Sequence, residues 1–314
     1  MTHHVTGGSD PGRRSLSRGR AIVTGGAGFI GSHLIERLCA EGLSVLVVDD
    51  LSSGGADRIP DRVPLEQRDI AQPGLTAVFR SWRPTLVFHL AAQSSVPFSL
   101  QDPLRDLAVN VVGTHHVAAA ARAAGADRLV FVSSGGAIYG ETRRRATEES
   151  APAPVSYYGI HKFAAEGHVA LAGIPYAIAR PSNVYGPGQL PGVEGAVVAA
   201  FFDQARKASR LMIHGDGTQT RDFVHVSDAV EALWLLGRTP AVGIWNVSSG
   251  RAIAVATLAD LVERYVGVRL ERSSGPQRLG DVQDSSLAST RLRRLGWQPR
   301  VSLVAGLRQL ARKP

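Results

Sequence analysis

Ala21-Ile22-Val23-Thr24-Gly25-Gly26-Ala27-Gly28-Phe29-Ile30-Gly31-Ser32-His33-Leu34-Ile35 decides how the rest of the chain is read. A short β-branched run passes through glycines at 25, 28 and 31 into a stretch whose apolar residues recur at helical spacing. Glycine lets the backbone turn tightly and approach a pyrophosphate with no Cβ in the way. The first turn of a helix adds unpaired N–H groups and the positive end of its dipole. A glycine triplet alone is weak evidence. Here strand and helix flank it, and Asp49-Asp50 closes the next apolar run about 20 residues on, where an acid that binds a ribose belongs. Such a carboxylate accepts from the ribose hydroxyls and repels a 2′-phosphate. The nearest following cation is Arg58, so the spacing favours NAD over NADP.

Working outward, apolar runs at Ala21–Thr24, Ser44–Val48, Leu86–Leu90, Leu129–Ser133 and Tyr176–Arg180 alternate with helical patterns at Gly31–Glu41, Val109–Ala124 and Tyr158–Ala172. Near-continuous apolar strands alternating with helices indicate a parallel sheet covered on both faces, an α/β doubly wound Rossmann fold. After Pro181 the rhythm changes. Asn183–Gly195 is rich in Gly and Pro, Val197–Arg210 reads as helix, and Gly215-Asp216-Gly217 as a turn. Val224–Val226 and Ile244–Val247 read as strands around a helix at Asp228–Leu236, and Ala256–Gly267 and Leu287–Leu295 as further helix. The expected organisation is a tail over 1–19 and a dinucleotide-binding domain over 20–181, to which 223–246 returns. A smaller, partly interleaved C-terminal substrate lobe takes 182–222 and 247–314.

A chain of 314 residues, 44% hydrophobic and 20% charged, suits a globular protein with a large core rather than a disordered or fibrous one. The single cysteine, Cys39, excludes an internal disulfide framework and fits a reducing compartment. No apolar run approaches the roughly 18 residues of a membrane span, and no secretory h-region opens the sequence. A cytoplasmic protein with no membrane contact is therefore expected. The net charge of +8 is concentrated at the ends. Residues 1–20 hold four arginines against one aspartate, and 291–314 hold seven cations and no acid. Basic ends on a near-neutral body are not the basic stripe that nucleic acid requires, so no nucleic-acid partner is expected. The ten histidines show no metal-ligand spacing, and no metal is expected.

The second chemical signal is Tyr158-Gly159-Ile160-His161-Lys162. Residues four apart share a helix face, so Tyr158 and Lys162 point into the same space while Tyr157 pairs with His161. A free phenol has a pKa of ~10, and lowering it by ~3 units corresponds to ~4 kcal/mol of differential interaction, toward which a nearby ammonium and a nicotinamide cation both act. Tyr158 is therefore a candidate proton shuttle.

With these motifs in place, residues 20–311 resemble the NAD-dependent sugar-nucleotide epimerase/dehydratase family of extended short-chain dehydrogenases/reductases. The resemblance is carried by Gly25–Gly31, Val48–Ser52, Asp69-Ile70, His89–Gln93, Asn110, Ser133-Ser134, Tyr139-Gly140 and Tyr158…Lys162. Arg180–Pro187 and Gly215–Phe223 carry it further. It implies that Gly25, Gly28, Phe29, Ile30 and Gly31 hold the pyrophosphate, and that Asp49, with Asp50, Leu51 and Ser52 beside it, holds the ribose. Asp69 and Ile70 would lie at the adenine. Leu90, Ala91, Ala92, Gln93, Asn110 and Pro181 would line the cofactor path, with Tyr158 and Lys162 at the nicotinamide end. The family also places a Ser or Thr after the fourth main strand to bond the reacting hydroxyl. Counted forward from the strand this is Ser134; counted back from Tyr139-Gly140 it is Gly135. An extra glycine in Ser134-Gly135-Gly136 accounts for the difference, and Ser134 is the expected catalytic hydroxyl. On the substrate side the resemblance implies Asn183, Val197, Arg221, Arg278, Asp281 and Ser285, with the two arginines on the diphosphate.

Within the family the pattern is most similar to the UDP-glucose 4-epimerases, through Val48–Ser52, Ala91-Ala92-Gln93 and Glu194–Ala199. The reaction so implied is C4 epimerisation of a UDP-hexose through a transient 4-keto sugar. A 4,6-dehydratase would carry an Asp-Glu pair where Gly135-Gly136 stand. A uronate 4-epimerase would carry an added cation in Pro187–Gly192, which has none. A non-catalytic NAD or sugar-nucleotide binder would have lost the tyrosine or the lysine. Seven residues after Arg278 lies Ser285, where the resemblance implies that a small residue admits UDP-GlcNAc and a tyrosine excludes it. It further implies a homodimer through Val109–Ala124 and Tyr158–Ala172.

Overall fold

Apolar residues on both faces of five successive strands leave the sheet nowhere to lie but the centre of the molecule. The computed structural model describes residues 19–191, 196–208 and 210–312. The expected tail, apart from its last residue, and the Glu194-Gly195 pair lie outside the described residues. Strands β1 (Arg20–Thr24), β2 (Ser44–Asp49), β3 (Leu65–Gln67), β4 (Leu86–His89), β5 (Arg128–Val132) and β6 (Tyr176–Pro181) run parallel in the order β3-β2-β1-β4-β5-β6. The connecting helices are α1 (Phe29–Ala40), α2 (Leu75–Trp82), α3 (Val96–Gln101), α4 (Pro103–Leu107), α5 (Thr114–Ala123), the short α6 (Gly135–Ile138) and α7 (Tyr157–Ala170).

Alternation along the strands sorts the core into two layers. Ile22, Val48, Val87, Leu129, Phe131 and Ile178 pack with α2, α5 and α7. Val23, Val47, Phe88, Val130 and Ala179 pack with Leu34, Ile35 and Leu38 of α1 on the opposite face. His89, fully buried at the end of β4, bonds Thr24 Oγ1 (2.7 Å) and Thr114 Oγ1 (2.9 Å), pinning β1 and β4 to α5. Burial, seconded by the charge of Lys162, pushes this imidazole well below its ordinary range and keeps it neutral.

Beyond β6 the chain forms β7 (Asn183–Tyr185), α8 (Val197–Arg206), β8 (Leu211–His214) and β9 (Thr220–His225). It then enters α9 (Val226–Arg238), which packs beside α1, and β10 (Gly243–Val247), which pairs with β6 as the seventh strand of the main sheet. β11 (Ala252–Ala254), α10 (Val255–Val266), β12 (Arg272–Gly275), β13 (Asp284–Ser285), α11 (Thr290–Arg294) and α12 (Leu303–Ala311) follow. β9 stays in the smaller sheet, between β11 and β13, so the return to the main sheet consists of α9 and β10. Val198, Phe201, Phe202, Leu258, Val262 and Leu307 fill a third cluster in this lobe.

Two readings of local structure change. The helix expected over Leu287–Leu295 is confined to Thr290–Arg294. Leu287 instead is fully buried and bridges Ala146: Ala146 N donates to Ser286 O and Ala288 N donates to Ala146 O (2.9 Å each). The helix expected over Val197–Arg210 ends at Arg206, because Leu211 opens β8 and pairs with β12. Among the described residues no helix is long and apolar enough to cross a membrane.

Candidate active site

The chain builds outward from β1 to β3 and then crosses back to β4 on the other side of β1. The crevice so formed at the carboxyl ends of the strands is where a doubly wound sheet binds ligands. A cavity of about 720 Å³ opens there, between the sheet and the smaller lobe. Gly25, Gly28, Phe29, Ile30 and Gly31 form its floor. Gly25 has φ +72°, and a Cβ on it would stand 2.5 Å from Ala91 N. A Cβ on Gly31 would meet Gly25 O and come within 2.8 Å of Gly26 Cα. Only glycine lets α1 sit this close to the β1 turn, which aims the first N–H groups of α1 into the crevice. No side chain caps that helix and no acid lies in its first turn, so these donors suit a pyrophosphate.

At the end of β2, Asp49 Oδ2 accepts from Ala27 N and its Oδ1 from Leu51 N (2.9 Å each). Burial raises the pKa of this carboxyl, and the two backbone bonds oppose the rise. Asp50 Oδ1 accepts from Ser52 N (3.0 Å) and Ser52 Oγ (2.6 Å), and both residues line the cavity. Asp69 and Ile70 lie farther along the wall, where Arg105 Nη2 donates to Asp69 Oδ2 (3.1 Å). Leu90, Ala91, Ala92, Gln93 and Pro181 line the opposite side. A glycine cradle, a buried acid at the end of the neighbouring strand and a cavity of this size fit an NAD molecule.

Ser134, Tyr158 and Lys162 line the same cavity. Ser156 Oγ caps α7 by accepting from Gly159 N (3.2 Å), and Tyr158 N donates to Ser99 Oγ (3.1 Å), which fixes the first turn carrying the phenol. Tyr157 stacks on His161 and stays half outside, and of the two adjacent tyrosines Tyr158 lines the cavity. Lys162 is buried, donates to Val132 O (2.7 Å) and lies 4.3 Å over the Phe131 ring. Burial lowers its pKa to about 7 against the pull of Glu166 and Asp106.

Ser134 lines the cavity, and position 135 does not. A Cβ on Gly135 would run into the Leu287 side chain and come within 3.0 Å of Arg180 O, so no hydroxyl reaches the cavity from there. A Cβ on Gly136 would meet nothing nearer than Asn183 Oδ1 at 3.8 Å, leaving open space above the strand end. Asn183, Arg221 and Asp281 line the outer part. Arg221 Nη2 pairs with Asp281 Oδ1 (3.1 Å), and its Nη1 donates to Thr220 O (2.9 Å) and Gln283 O (3.3 Å).

Five expected site residues stand elsewhere. Asn110 is buried behind the wall, in a π-helical turn over Ala108–Gly113, where its Nδ2 donates to Gln93 O (2.9 Å) and Asp106 Oδ1 (3.1 Å). Leu51 turns its side chain toward the α1 core at φ +62°. Val197 packs into the lobe core as the first residue of α8. Arg278 is exposed and contributes a carbonyl that accepts from Asp281 N (3.2 Å). Ser285 is buried in β13, with its Oγ 4.0 Å from where a Gly136 Cβ would stand.

Other wall residues escaped the sequence reading. Arg58 and Arg68 line the cavity together with Asp49, Asp50 and Asp69. Ser133 lines the cavity with a buried Oγ that has no partner. Asp106, fully buried, gathers Gln93 Nε2 (2.5 Å), Asn110 Nδ2 and His161 Nδ1 (2.6 Å) behind Lys162. Its neighbours at 93 and 110 were the available signal, but nothing in their spacing points to residue 106.

Known proteins share this arrangement. A UDP-glucose 4-epimerase of Mycolicibacterium smegmatis is 41% identical over 300 residues, covering 92% of this chain and 96% of that one. The crystal structure of a Thermus thermophilus UDP-glucose 4-epimerase in complex with NAD is 38% identical. It superposes with a TM-score of 0.90 and covers 93% of this chain and 97% of its own. The UDP-glucose 4-epimerase of Thermotoga maritima, solved with UDP-glucose, gives 0.88 at 37% identity over the same shares. The model of the NAD dependent epimerase/dehydratase family matches residues 21–248, well over half of the sequence. With the cradle, the acid and the tyrosine–lysine pair all inside that span, the chain is an NAD-dependent enzyme belonging to the NAD dependent epimerase/dehydratase family.

Proposed function

We propose that this enzyme inverts C4 of a UDP-hexose, interconverting UDP-glucose and UDP-galactose and accepting UDP-GlcNAc, in the cytoplasm. The observation that carries this reading is that Ser134, Tyr158 and Lys162 line the glycine-floored cavity together with a wall at Gly136, which has no group able to move a second proton. Bound NAD supplies the acceptor, and then the donor, of the C4 hydride. Ser134 Oγ holds the O4 of the sugar while the Tyr158 oxygen takes its proton. An anionic phenolate beside Lys162 strengthens the hold of that amine on its own proton, so the pair forms an ion pair whose two groups titrate together. Inversion requires the flattened sugar to turn over before the hydride returns, and Tyr158 then gives the proton back to O4. Arg221 grips the diphosphate through the turn-over, and Gly136 leaves space for the hexose to rotate.

The same wall speaks against elimination across C5 and C6, which needs an acid and a base where Gly135 and Gly136 stand. The deciding experiment incubates the purified enzyme separately with UDP-glucose and UDP-galactose. Both should converge on one equilibrium mixture, with no 4-keto-6-deoxy product. Tyr158→Phe should lower kcat by about 10²–10⁴-fold, the usual contribution of a general acid–base group. Inversion at an unchanged rate would sink the reading.

We propose a homodimer as well, on a changed rationale. The Ala-rich face of α5 is buried inside the protomer against α2. The free apolar surface is made instead by Leu104 (75% exposed), Leu107, Val112, Ile160, Phe163 and Leu171.

A further inference from the structure

A second cavity, also about 720 Å³, shares no lining residue with the first and is walled by three arginine-bearing segments. Arg144 and Arg145 come from the loop after α6, Arg251 from the turn after β10, and Arg293 from α11. Arg145 Nη1 donates to Gly250 O (3.4 Å). Arg293 donates through Nε to Ser289 Oγ (3.1 Å) and through Nη2 to Ser249 O (3.2 Å). Among the described residues none of the four guanidinium groups pairs with a carboxylate, and Arg144 and Arg251 have no side-chain partner. Gathering four like charges round one concavity is repulsive, and a bound anion turns that repulsion into attraction.

The walls are fixed rather than loose. Thr142 N bonds Asp284 O, and Ala146 N bonds Ser286 O (2.9 Å each), zipping the arginine loop to the segment that continues β13. Asp222 of β9 holds the other wall from behind, accepting from Ser249 Oγ (2.7 Å), Ser249 N (3.2 Å) and Gly250 N (3.0 Å). Its carboxylate is buried and engaged through both oxygens, leaving the face of the cavity cationic.

The lining also selects the ligand. It is polar at Ser249, Gly250, Ser289 and Thr290, with the Ser249 and Ser289 hydroxyls donating to Asp222 Oδ1 and Ser248 O, and it has one methyl at Ala288 and no aromatic ring on which a base could stack. Guanidinium forks match phosphoryl oxygens two at a time. The volume falls within the roughly 300–1,000 Å³ of small-molecule sites and exceeds what one orthophosphate fills. We propose that this cavity binds a small oligophosphate, a molecule presenting two or more linked phosphoryl groups. A concave site of this kind differs from the extended stripe that a nucleic acid would need.

The test is calorimetric titration of the NAD-loaded enzyme with tripolyphosphate, pyrophosphate and orthophosphate at low salt. The wild type should bind one tripolyphosphate saturably, more tightly than orthophosphate. The double variant Arg144→Ala/Arg251→Ala should weaken this by about tenfold or more, as loss of charged hydrogen bonds predicts. Arg221→Ala, at the other anion-binding place, and Arg269→Ala/Arg264→Ala, an equal loss of charge on exposed positions elsewhere, should stay within about twofold. All four positions around the cavity are exposed, so the variants should keep the unfolding temperature of the wild type. No saturable binding would overturn the proposal, as would an equal loss in the control pair, loss only in Arg221→Ala, or tighter binding of a single-stranded oligonucleotide than of tripolyphosphate.

Discussion

Lys162 shows how one residue carries a cost that catalysis uses. An unfolded lysine holds its proton up to an ordinary 10.5, whereas burial lets the folded one go at about 7. Between those values the unfolded chain binds more protons, so the contribution of this residue to stability rises with pH across the window and is at its poorest below 7. In the cofactor-free enzyme, the unfolding free energy of the wild type relative to Lys162→Met should climb by on the order of 4 kcal/mol from pH 7 to 10.5. Urea titrations over that range check it, and a flat difference would remove the burial account. Ser285 is the second residue with a separable role. Its hydroxyl lies under the space beside Gly136, so a tyrosine there would project into the room that an N-acetyl group needs. Ser285→Tyr should cut turnover of UDP-GlcNAc by about 10–100-fold, while UDP-glucose stays within a fewfold, a split typical of pocket sterics. Parallel kcat/KM measurements on the two sugars decide it.

At the scale of elements, β1, its turn and α1 behave as one part. The close approach of Gly31 to Gly25 sets how near the first turn of α1 comes to the crevice. Gly31→Ala should force α1 away, destabilise the fold by about 1–3 kcal/mol and strip bound NAD. Denaturant melts and the nucleotide recovered on unfolding would report both. This part was legible because its three constraints, apolar strand, glycine spacing and helical period, are local. So were β2 with Asp49, and Tyr158 with Lys162, which helix geometry alone brings to one face. The obscure elements are those made by partners distant in sequence. β3 is three residues long and only half-buried, and exists because Val47 and Asp49 pair with it. β13 is two residues, defined by Thr220 and Arg221. α3 and α4 did carry local signals, Ser95 and Asp102 as caps before Pro97 and Pro103, but their shortness hides any period. Arg278 and Val197 stand outside the cavity lining for the opposite reason. Their motif position is local, whereas the direction of the side chain is set by how the smaller lobe packs.

At the scale of the molecule, α7 joins what the enzyme does to how copies of it would associate. One face of this helix buries Lys162, Ala165, Glu166 and Val169 against the sheet. The next face leaves Ile160 46% and Phe163 43% exposed, continuous with Leu104 and Leu107 of α4. An apolar stripe of this extent on a helix that holds Tyr158 and Lys162 is costly in water, and the second copy proposed above would relieve that cost by covering it. Ile160→Asp/Phe163→Asp places two charges on that stripe without touching the cavity. Sedimentation velocity should show the wild type as a dimer and the variant as a monomer at micromolar concentration. Because Glu166 on the same helix clamps Arg180 of β6 through Oε1 (2.8 Å) and Oε2 (2.5 Å), the buried face should hold and the monomer should stay folded. Its kcat should fall several-fold as the first turn of α7, which carries Tyr158, loses its outer support. A variant that still sediments as a dimer would move the interface to another face of the molecule.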